Sequence, residues 1–573
     1  MDTILKVLSQ VSEGHIRTYL AILRYLMPVL MAFLMVLCAR PLLTFRREPE
    51  IWAWLILPDG KKLPITHWEN VIGRSKRSDI VVDFPTISRN HAVLTRYDDG
   101  SWTVTDTGSR DGILVNGESV YISALDPKDV ITIGGLDMRL EPISRNQEIR
   151  LSQLRTKASS PQMSLAVLGL LSVIQGLICL AFLLGANVQE GKSILYGFGG
   201  IFLCQWLLLI FYLSIKRSSF EVETVAFFLC TMGMAVIATV TPTETVKQLI
   251  AMVLGVLVFL FAGWSLRDLE RAKKIRYFAT AAGIGFLVLT LLFGEEYYGA
   301  KNWITVGSTS IQPSELSKVC FVFAGASTMD RIMNKRNLVL FIGYSALICG
   351  CLALMNDFGT ALIFFCAFLV IAYLRSGSVG TVALAVASLA FAGVIVLKIA
   401  PHALRRFATW RHVWEDPLNA GYQQTRAMMC IASGGLFGMG AGEGWLKHIF
   451  ASDSDLVFAT VSEEWGLLSA LMLAGCVIVL ALFVMRCASV GRSSFYTIGG
   501  CTAASIMVTQ TILNVLGTVD VLPLTGVTFP FLSNGGSSMI AAWGLLAFVK
   551  AADTRQNASF AVRLPSWGRD LNE

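Results

Sequence analysis

Residues 456–485 read LVFATVSEEWGLLSALMLAGCVIVLALFVM, thirty positions in which Glu463 and Glu464 are the only charged side chains. A helix needs roughly 20 predominantly apolar residues to cross a bilayer. The stretch therefore reads as a membrane span that holds two carboxyl groups. Outward from it, similar runs lie near 165–184, 194–215, 225–240, 246–264, 277–293, 316–328, 338–356, 358–374, 380–400, 495–516 and 537–549. An earlier run extends from Leu20 to Cys38 and lacks a small-residue cleavage site, so it reads as a retained anchor, with a cleaved signal peptide as the alternative. These make thirteen spans, although the pair around Asp357 also reads as one broken helix. Composition agrees: 54% of the chain is apolar and 15% charged. A soluble chain of 573 residues would carry about 140 charged side chains, and this one has 47 Lys+Arg and 40 Asp+Glu. Only residues 46–160 are ordinary polar sequence. The fold class is a polytopic α-helical membrane protein with one soluble module, which excludes a disordered chain and a purely soluble enzyme. The net charge of +7 reflects basic loops and implies no nucleic-acid partner.

Loop charges set the orientation, because Lys and Arg remain on the cytoplasmic side. One set of short loops holds Lys216, Arg217, Arg267, Arg271, Lys273, Lys274, Arg276, Arg331, Lys335, Arg336, Arg375, Arg486 and Arg492. The opposite set holds little beyond Lys192, Lys247 and Lys301. By parity the module and the C-terminal tail lie in the cytoplasm. Residues 294–315, 401–455 and 517–536 then lie outside. The middle segment is too long and polar for a connector and is where chemistry is expected. Most of the twelve cysteines fall inside apolar runs, and no pair has zinc-ligand spacing with histidines nearby. No metal-ligand cluster or cofactor is evident, and assistance from a divalent cation is left open.

Residues 51–145 read as short strands, with Asp98-Asp99-Gly100 and Asn116-Gly117 as turns. An all-β sandwich is expected. The order Gly73-Arg74, Ser88-Arg89-x-His91, Asp106-x-x-Ser109-x-Asp111-Gly112 and Asn116-Gly117 resembles a forkhead-associated (FHA) domain. The resemblance implies a phosphothreonine-peptide site at Arg74, Ser88, Arg89, Ser109 and Asp111. Its ligand would be a phosphothreonine-containing protein from a Ser/Thr kinase pathway. Arg74 suits a phosphate and the Ser88 hydroxyl can donate to it, while His91 braces the Ser88 loop. Asp111 stands where the family has Asn. A carboxylate cannot donate to a peptide carbonyl and repels phosphate, so a sandwich that docks without phosphate is the alternative.

From residue 222 onward, four groups of motifs occur in order. The first is Gly299-Ala300-Lys301-Asn302-Trp303-Ile304 with Gln312-Pro313-Ser314-Glu315-x-x-Lys318, and the second is Asp357-x-Gly359-Thr360-Ala361. The third runs from Gly421-Tyr422-Gln423 through Gly434-Gly435, Gly438, Gly440 and Gly442 to Asp455 and Glu463-Glu464-x-Gly466. The fourth joins Thr525-Gly526 to Ser533-Asn534-Gly535-Gly536-Ser537-Ser538. Together they resemble the SEDS family (shape, elongation, division and sporulation), the RodA/FtsW group, over ten spans. The resemblance implies a peptidoglycan glycosyltransferase of the bacterial cytoplasmic membrane that polymerises lipid II at the outer face. It also implies a class B penicillin-binding protein (a transpeptidase) as partner, Asp455 as the essential carboxylate, and Ser537 among the substrate-binding residues. The family's Leu-Pro-Glu-x-His-Thr-Asp is replaced by Phe450-Ala451-Ser452-Asp453-Ser454-Asp455, which shortens the loop but keeps the acid.

The chemistry fits those residues. Polymerisation needs one base for the attacking hydroxyl and cations for the departing pyrophosphate. Asp455 can serve as the base, and Arg405, Arg406, Arg411 and Lys447 share its loop. Ionisable groups inside the membrane are functional by default, which assigns Glu315, Lys318, Asp357, Glu463 and Glu464 to substrate binding. Two alternatives stand beside this: Glu315 and Lys318 as a mutual pair, and Asp357 as a helix cap. The expected organisation is an anchor at 1–45, the FHA-like module at 51–145, a linker at 146–163, two additional spans at 164–216, the SEDS-like core at 222–552 and a cytoplasmic tail at 553–573. A lipid-precursor flippase and a phosphopeptide-binding scaffold with an inactive core remain rival readings.

Overall fold

The structure, a computed structural model, describes residues 11–45, 51–76, 78–97, 100–144, 146–147, 159–184, 186–267, 269–297, 299–307, 309–330, 335–376, 379–399, 404, 407–491, 493–555 and 558. Helix α1 (Glu13–Leu43) precedes an eleven-stranded module. Its strands are β1 (Ala53–Ile56), β2 (Lys62–Ile65), β3 (Glu69–Gly73), β4 (Ile80–Val81), β5 (Ala92–Arg96) and β6 (Trp102–Asp106). They continue with β7 (Ile113–Val115), β8 (Glu118–Val120), β9 (Ile122–Leu125), β10 (Val130–Ile133) and β11 (Leu136–Pro142). One sheet has the order β2-β1-β11-β10-β7-β8 and the other β4-β3-β5-β6-β9. Alternate residues of β1 and β10 are buried, as expected when one face of each sheet covers a shared core. Asn116 (φ 53°) and Gly117 (φ 89°) link β7 to β8, both with the positive φ of a type I′ turn. The expected sandwich is present.

Helices α2 (Pro161–Leu183) and α3 (Val188–Ser214) follow. The remaining helices are α4 (Glu221–Val240), α5 (Thr245–Leu266), α6 (Leu269–Phe293), α7 (Pro313–Asp330), α8 (Lys335–Leu354), α9 (Phe358–Ser376) and α10 (Val379–Ile399). The chain then forms α11 (Tyr422–Gly434), α12 (Val457–Trp465), α13 (Leu467–Ala488), α14 (Ser494–Thr518) and α15 (Gly536–Ala551). Among the described residues nine helices are long and apolar enough to cross a membrane, and Val339–Leu354, Val379–Phe391 and Gly536–Ala551 are shorter apolar helices.

The stretch 456–485 is not one helix. It breaks between α12 and α13 at Gly466, whose φ is +86°. The cause is a close backbone crossing: a Cβ at Gly466 would lie 2.3 Å from Leu436 O, and one at Gly438 would lie 2.1 Å from Glu464 O. The groups released by the break are paired across that crossing. Met439 N–H donates to Glu463 O (2.8 Å), Gly440 N–H to Glu464 O (3.0 Å) and Leu467 N–H to Gly435 O (3.0 Å). Irregular backbone is tolerated at such depth only when protein surrounds and satisfies it.

The β-module is docked on the helical core. The Glu69 carboxylate accepts from Ser493 Oγ (3.0 Å) and from both Oγ and N–H (3.0 Å) of Ser494, a negative charge at the N-terminus of α14. Trp68 meets Tyr496 edge-on at 6.5 Å. At the module end of α1, Phe45 meets Phe483 of α13 (6.2 Å), and towards its other end Tyr25 meets Phe437 (5.2 Å). Thus α1, about 46 Å long at 1.5 Å per residue, has the module near one end and the glycine loop near the other.

A buried ionic cluster closes the module side of the core. Lys550 Nζ lies 3.1 Å from Glu223 Oε2, and Tyr212 OH donates to Oε1 of the same carboxylate. Arg555 pairs with Asp553 (2.8 Å) and Glu221 (3.5 Å) and also donates to Pro41 O (3.4 Å) at the end of α1. The expected boundary at 552 is therefore short, since Asp553, Arg555 and Ala558 are all buried. Lys550→Met leaves the Glu223 carboxylate buried without its counter-charge, so melting in detergent should reveal a loss of about 3–5 kcal/mol. Adding Glu223→Leu should recover much of it.

Candidate functional site

Residues 517–538 organise the site. Three successive carbonyls before α12 are each held from this segment or from α14. Asp453 O accepts from Asn534 N–H (2.8 Å), Ser454 O from Ser533 Oγ (2.7 Å) and Asp455 O from Asn514 Nδ2 (3.0 Å). The Asp455 side chain is half-buried. It faces Gly526, where a Cβ would lie 3.2 Å from Asp455 Oδ2 and where φ is +67°. On its other side the same segment packs on α9: a Cβ at Gly359 would lie 3.0 Å from Val527 Cγ2 and 3.1 Å from Thr525 O. Thr525–Val527 thus lies between Asp455 and the start of α9.

Asp357 caps that start. Its Oδ1 accepts from Thr360 N–H (3.1 Å), and its Oδ2 accepts from Asn302 Nδ2 (3.3 Å) and Gln312 Nε2 (3.4 Å). Gln312 also donates its N–H to Ser537 Oγ (3.2 Å). Glu315 and Lys318 form a buried pair at 2.7 Å, one turn into α7. Glu315, Lys318, Asp357 and Ser537 are thus gathered around Gln312, beside the segment that carries Asp455, with the cap and the pair both formed. Asn302 and Gln312 stand in quoted motifs, but nothing in their spacing reveals them as the donors to Asp357.

The other acids and bases divide. Glu463 is only 1% exposed, and its two oxygens accept the N–H groups of Trp445 and Leu446 (both 2.9 Å), fixing the 3-10 turn Leu446–His448. Glu464 accepts from Thr239 Oγ1 (2.9 Å). Lys447 is half-buried and donates to Gly442 O (2.7 Å). Arg411 is exposed; its N–H donates to Asp520 Oδ1 (3.1 Å) and its guanidinium lies 5.3 Å from the Trp410 ring centre. The 411 loop is therefore attached to the same segment, 517–538, that holds Asp455. Arg405 and Arg406 lie outside the described residues. Asp453 is bound through its side chain by Asn534 Nδ2 (2.8 Å), and burial pushes its carboxyl above the usual range.

In the β-module, Arg74 follows β3 and is exposed, as are Arg89 and Asp111. Arg74 N–H donates to Ser88 O (3.0 Å). His91 Nδ1 accepts from Ser88 N–H (3.1 Å) and its Nε2–H donates to Gly112 O (2.9 Å), so the imidazole joins the loops that carry Ser88 and Asp111. Ser88 Oγ accepts from Arg110 N–H (3.1 Å), which leaves its hydroxyl hydrogen available to a ligand. Ser109 N–H is held by Asp106 Oδ1 (3.1 Å). The five expected residues converge on one edge of the sandwich.

A broken-helix membrane core with a half-buried carboxylate where a loop enters it, carrying a docked β-sandwich, defines the class. The family model described as cell cycle protein, FtsW/RodA/SpoVE, matches residues 224–558, more than half of the chain. The chain belongs to this family, and residues 70–134 match the FHA domain. It is 30% identical to the peptidoglycan glycosyltransferase RodA of Mycobacterium tuberculosis, covering 53% of this chain and 69% of that protein. It is 31% identical to the "probable peptidoglycan glycosyltransferase FtsW" of Tolumonas auensis, covering 52% of this chain and 82% of that one. A chain from a peptidoglycan synthase complex that coordinates polymerization and crosslinking superposes with a TM-score of 0.50 at 24% identity, over 58% of this chain and 96% of that one. That likeness concerns the fold.

Proposed function

We propose that this chain is a peptidoglycan glycosyltransferase that polymerises lipid II at the outer face of the bacterial cytoplasmic membrane. Its FHA module would read phosphothreonine on the cytoplasmic side. The observation that carries the reading is the setting of Asp455: a half-buried carboxylate in a loop held at three successive backbone carbonyls, facing a segment, 517–538, that also holds the Arg411 loop. In the reaction, a sugar hydroxyl attacks the anomeric carbon of a lipid-linked sugar and the C–O bond to the lipid pyrophosphate breaks. Asp455 takes the hydroxyl proton, and Arg411 and Lys447 offset charge on the departing pyrophosphate. Relatives named peptidoglycan glycosyltransferase support the substrate class. The synthase complex supports a crosslinking partner, for which a class B penicillin-binding protein is the candidate.

The test is glycan polymer formation by the purified full chain with lipid II, with and without that partner. A flippase would move lipid II between leaflets and yield no polymer. A scaffold would bind a phosphopeptide and do neither.

Sidedness has its own expected result. A cysteine introduced at Asn419 should react with an impermeant thiol reagent on intact cells, while one at Gly100 should react only after permeabilisation. The reverse pattern would put Asp455 on the face opposite the one proposed for polymerisation.

A further inference from the structure

Asn514 lies in the last turns of α14, inside a run that reads as plain membrane helix, and it is 2% exposed. Its Nδ2 donates to Asp455 O (3.0 Å) and Val527 O (2.8 Å), with Ser454 O at 3.5 Å. Carbonyl oxygens only accept, so the amide nitrogen must face them. The opposite atom, Oδ1, is buried and has no hydrogen-bond partner among the described residues. A buried polar atom left unpaired costs about 1–3 kcal/mol. An apolar residue would avoid that cost but would take the donor from two backbone carbonyls, so what the amide contributes here is its bond to those carbonyls. The two carbonyls it joins belong to the residue proposed as base and to the segment that base faces, whose Gly526 stands on the other side of the carboxylate.

We propose that Asn514 is the positioning residue of the polymerisation site. By tying Asp455 to Val527 it fixes the distance between the carboxylate and the 525–527 segment. The inference rests on Asp455 being the base. Asn514 is buried and its amide donates to backbone carbonyls, so it is expected to act on turnover and not on binding. Misplacing a catalytic group by about 1 Å can cost on the order of 100-fold in rate.

The experiment uses the full-length protein and lipid II. Asn514→Leu keeps the branching, though with bulkier methyl groups, and removes both donated bonds, while Asn514→Asp keeps the shape and sets an acceptor against two carbonyls. Both are expected to lower kcat about 10- to 100-fold, with KM changed less than about twofold. Asn514→Ser is smaller and has a single donor that can serve at most one of the two carbonyls; it should give the same split in milder form, which keeps the proposal testable should the bulkier or charged variants fail to fold. A folded Asn514→Leu protein with full kcat overturns the proposal. So does a raised KM at unchanged kcat, which would make the amide a substrate contact. Polymerisation by Asp455→Asn at the normal rate would instead remove the reading on which the inference stands.

Discussion

Asp455→Asn is expected to lower glycan polymerisation by about 10²–10⁴-fold, the usual contribution of a general base, with folding preserved. The substitution keeps size and shape and removes charge and basicity. The loop should hold, because Asn534, Ser533 and Asn514 grip main-chain carbonyls of 453–455 and not the Asp455 carboxylate. Asp453→Asn is the matched control. Asp453 is already bonded to the Asn534 amide and raised by burial, and an Asn there still offers an oxygen to that amide. It should cost far less. Polymer length and yield from lipid II at equal protein concentration measure both. A normal rate for Asp455→Asn beside failure of Asp453→Asn would shift the essential acid by two positions, as the shortened 450–455 loop permits.

The second large effect concerns the module. Arg74→Ala should weaken binding of a phosphothreonine peptide by about 100-fold, the equivalent of roughly 2.7 kcal/mol for charge-assisted bonds to phosphate. Polymerisation by the purified protein should persist, because Arg74 is exposed and the docking contact is made by Glu69 and Trp68. Asp111→Asn restores a donor amide beside the site and should tighten the same peptide. Calorimetric titration reads both. Unchanged affinity in the two variants would mean that the sandwich docks partners through another surface.

Much of this was legible in the chain. Apolar runs located the helices because a membrane leaves a helix no other way to satisfy its backbone. The β-module was readable from its turn residues, and His91 from its place beside Ser88. The intramembrane acids show structural contacts that the sequence offered only in part. The cap of α9 by Asp357 and the pairing of Glu315 with Lys318 were both readable, whereas Glu463 holds the backbone N–H groups of Trp445 and Leu446, which nothing in the sequence announced. The first two contacts are local, three residues apart, and only Glu463 finds its partners 17 and 18 residues away, on a loop of irregular course. Asn514 was invisible in the sequence, since it is uncharged and the two carbonyls it binds belong to backbone that any residues could supply.

The sequence by itself determined the kind of elements, the basic and non-basic sets of loops, and the residues able to do acid–base or phosphate chemistry. These depend on composition and local pattern, which solvent, lipid and chain stiffness read directly. Only the tertiary structure decided where the 456–485 stretch breaks, because Gly466 yields to a crossing backbone thirty residues earlier. Only it brought residues 453–455, 514 and 525–534 into one frame, since hydrogen bonds between segments are made by proximity and leave no periodicity in the chain.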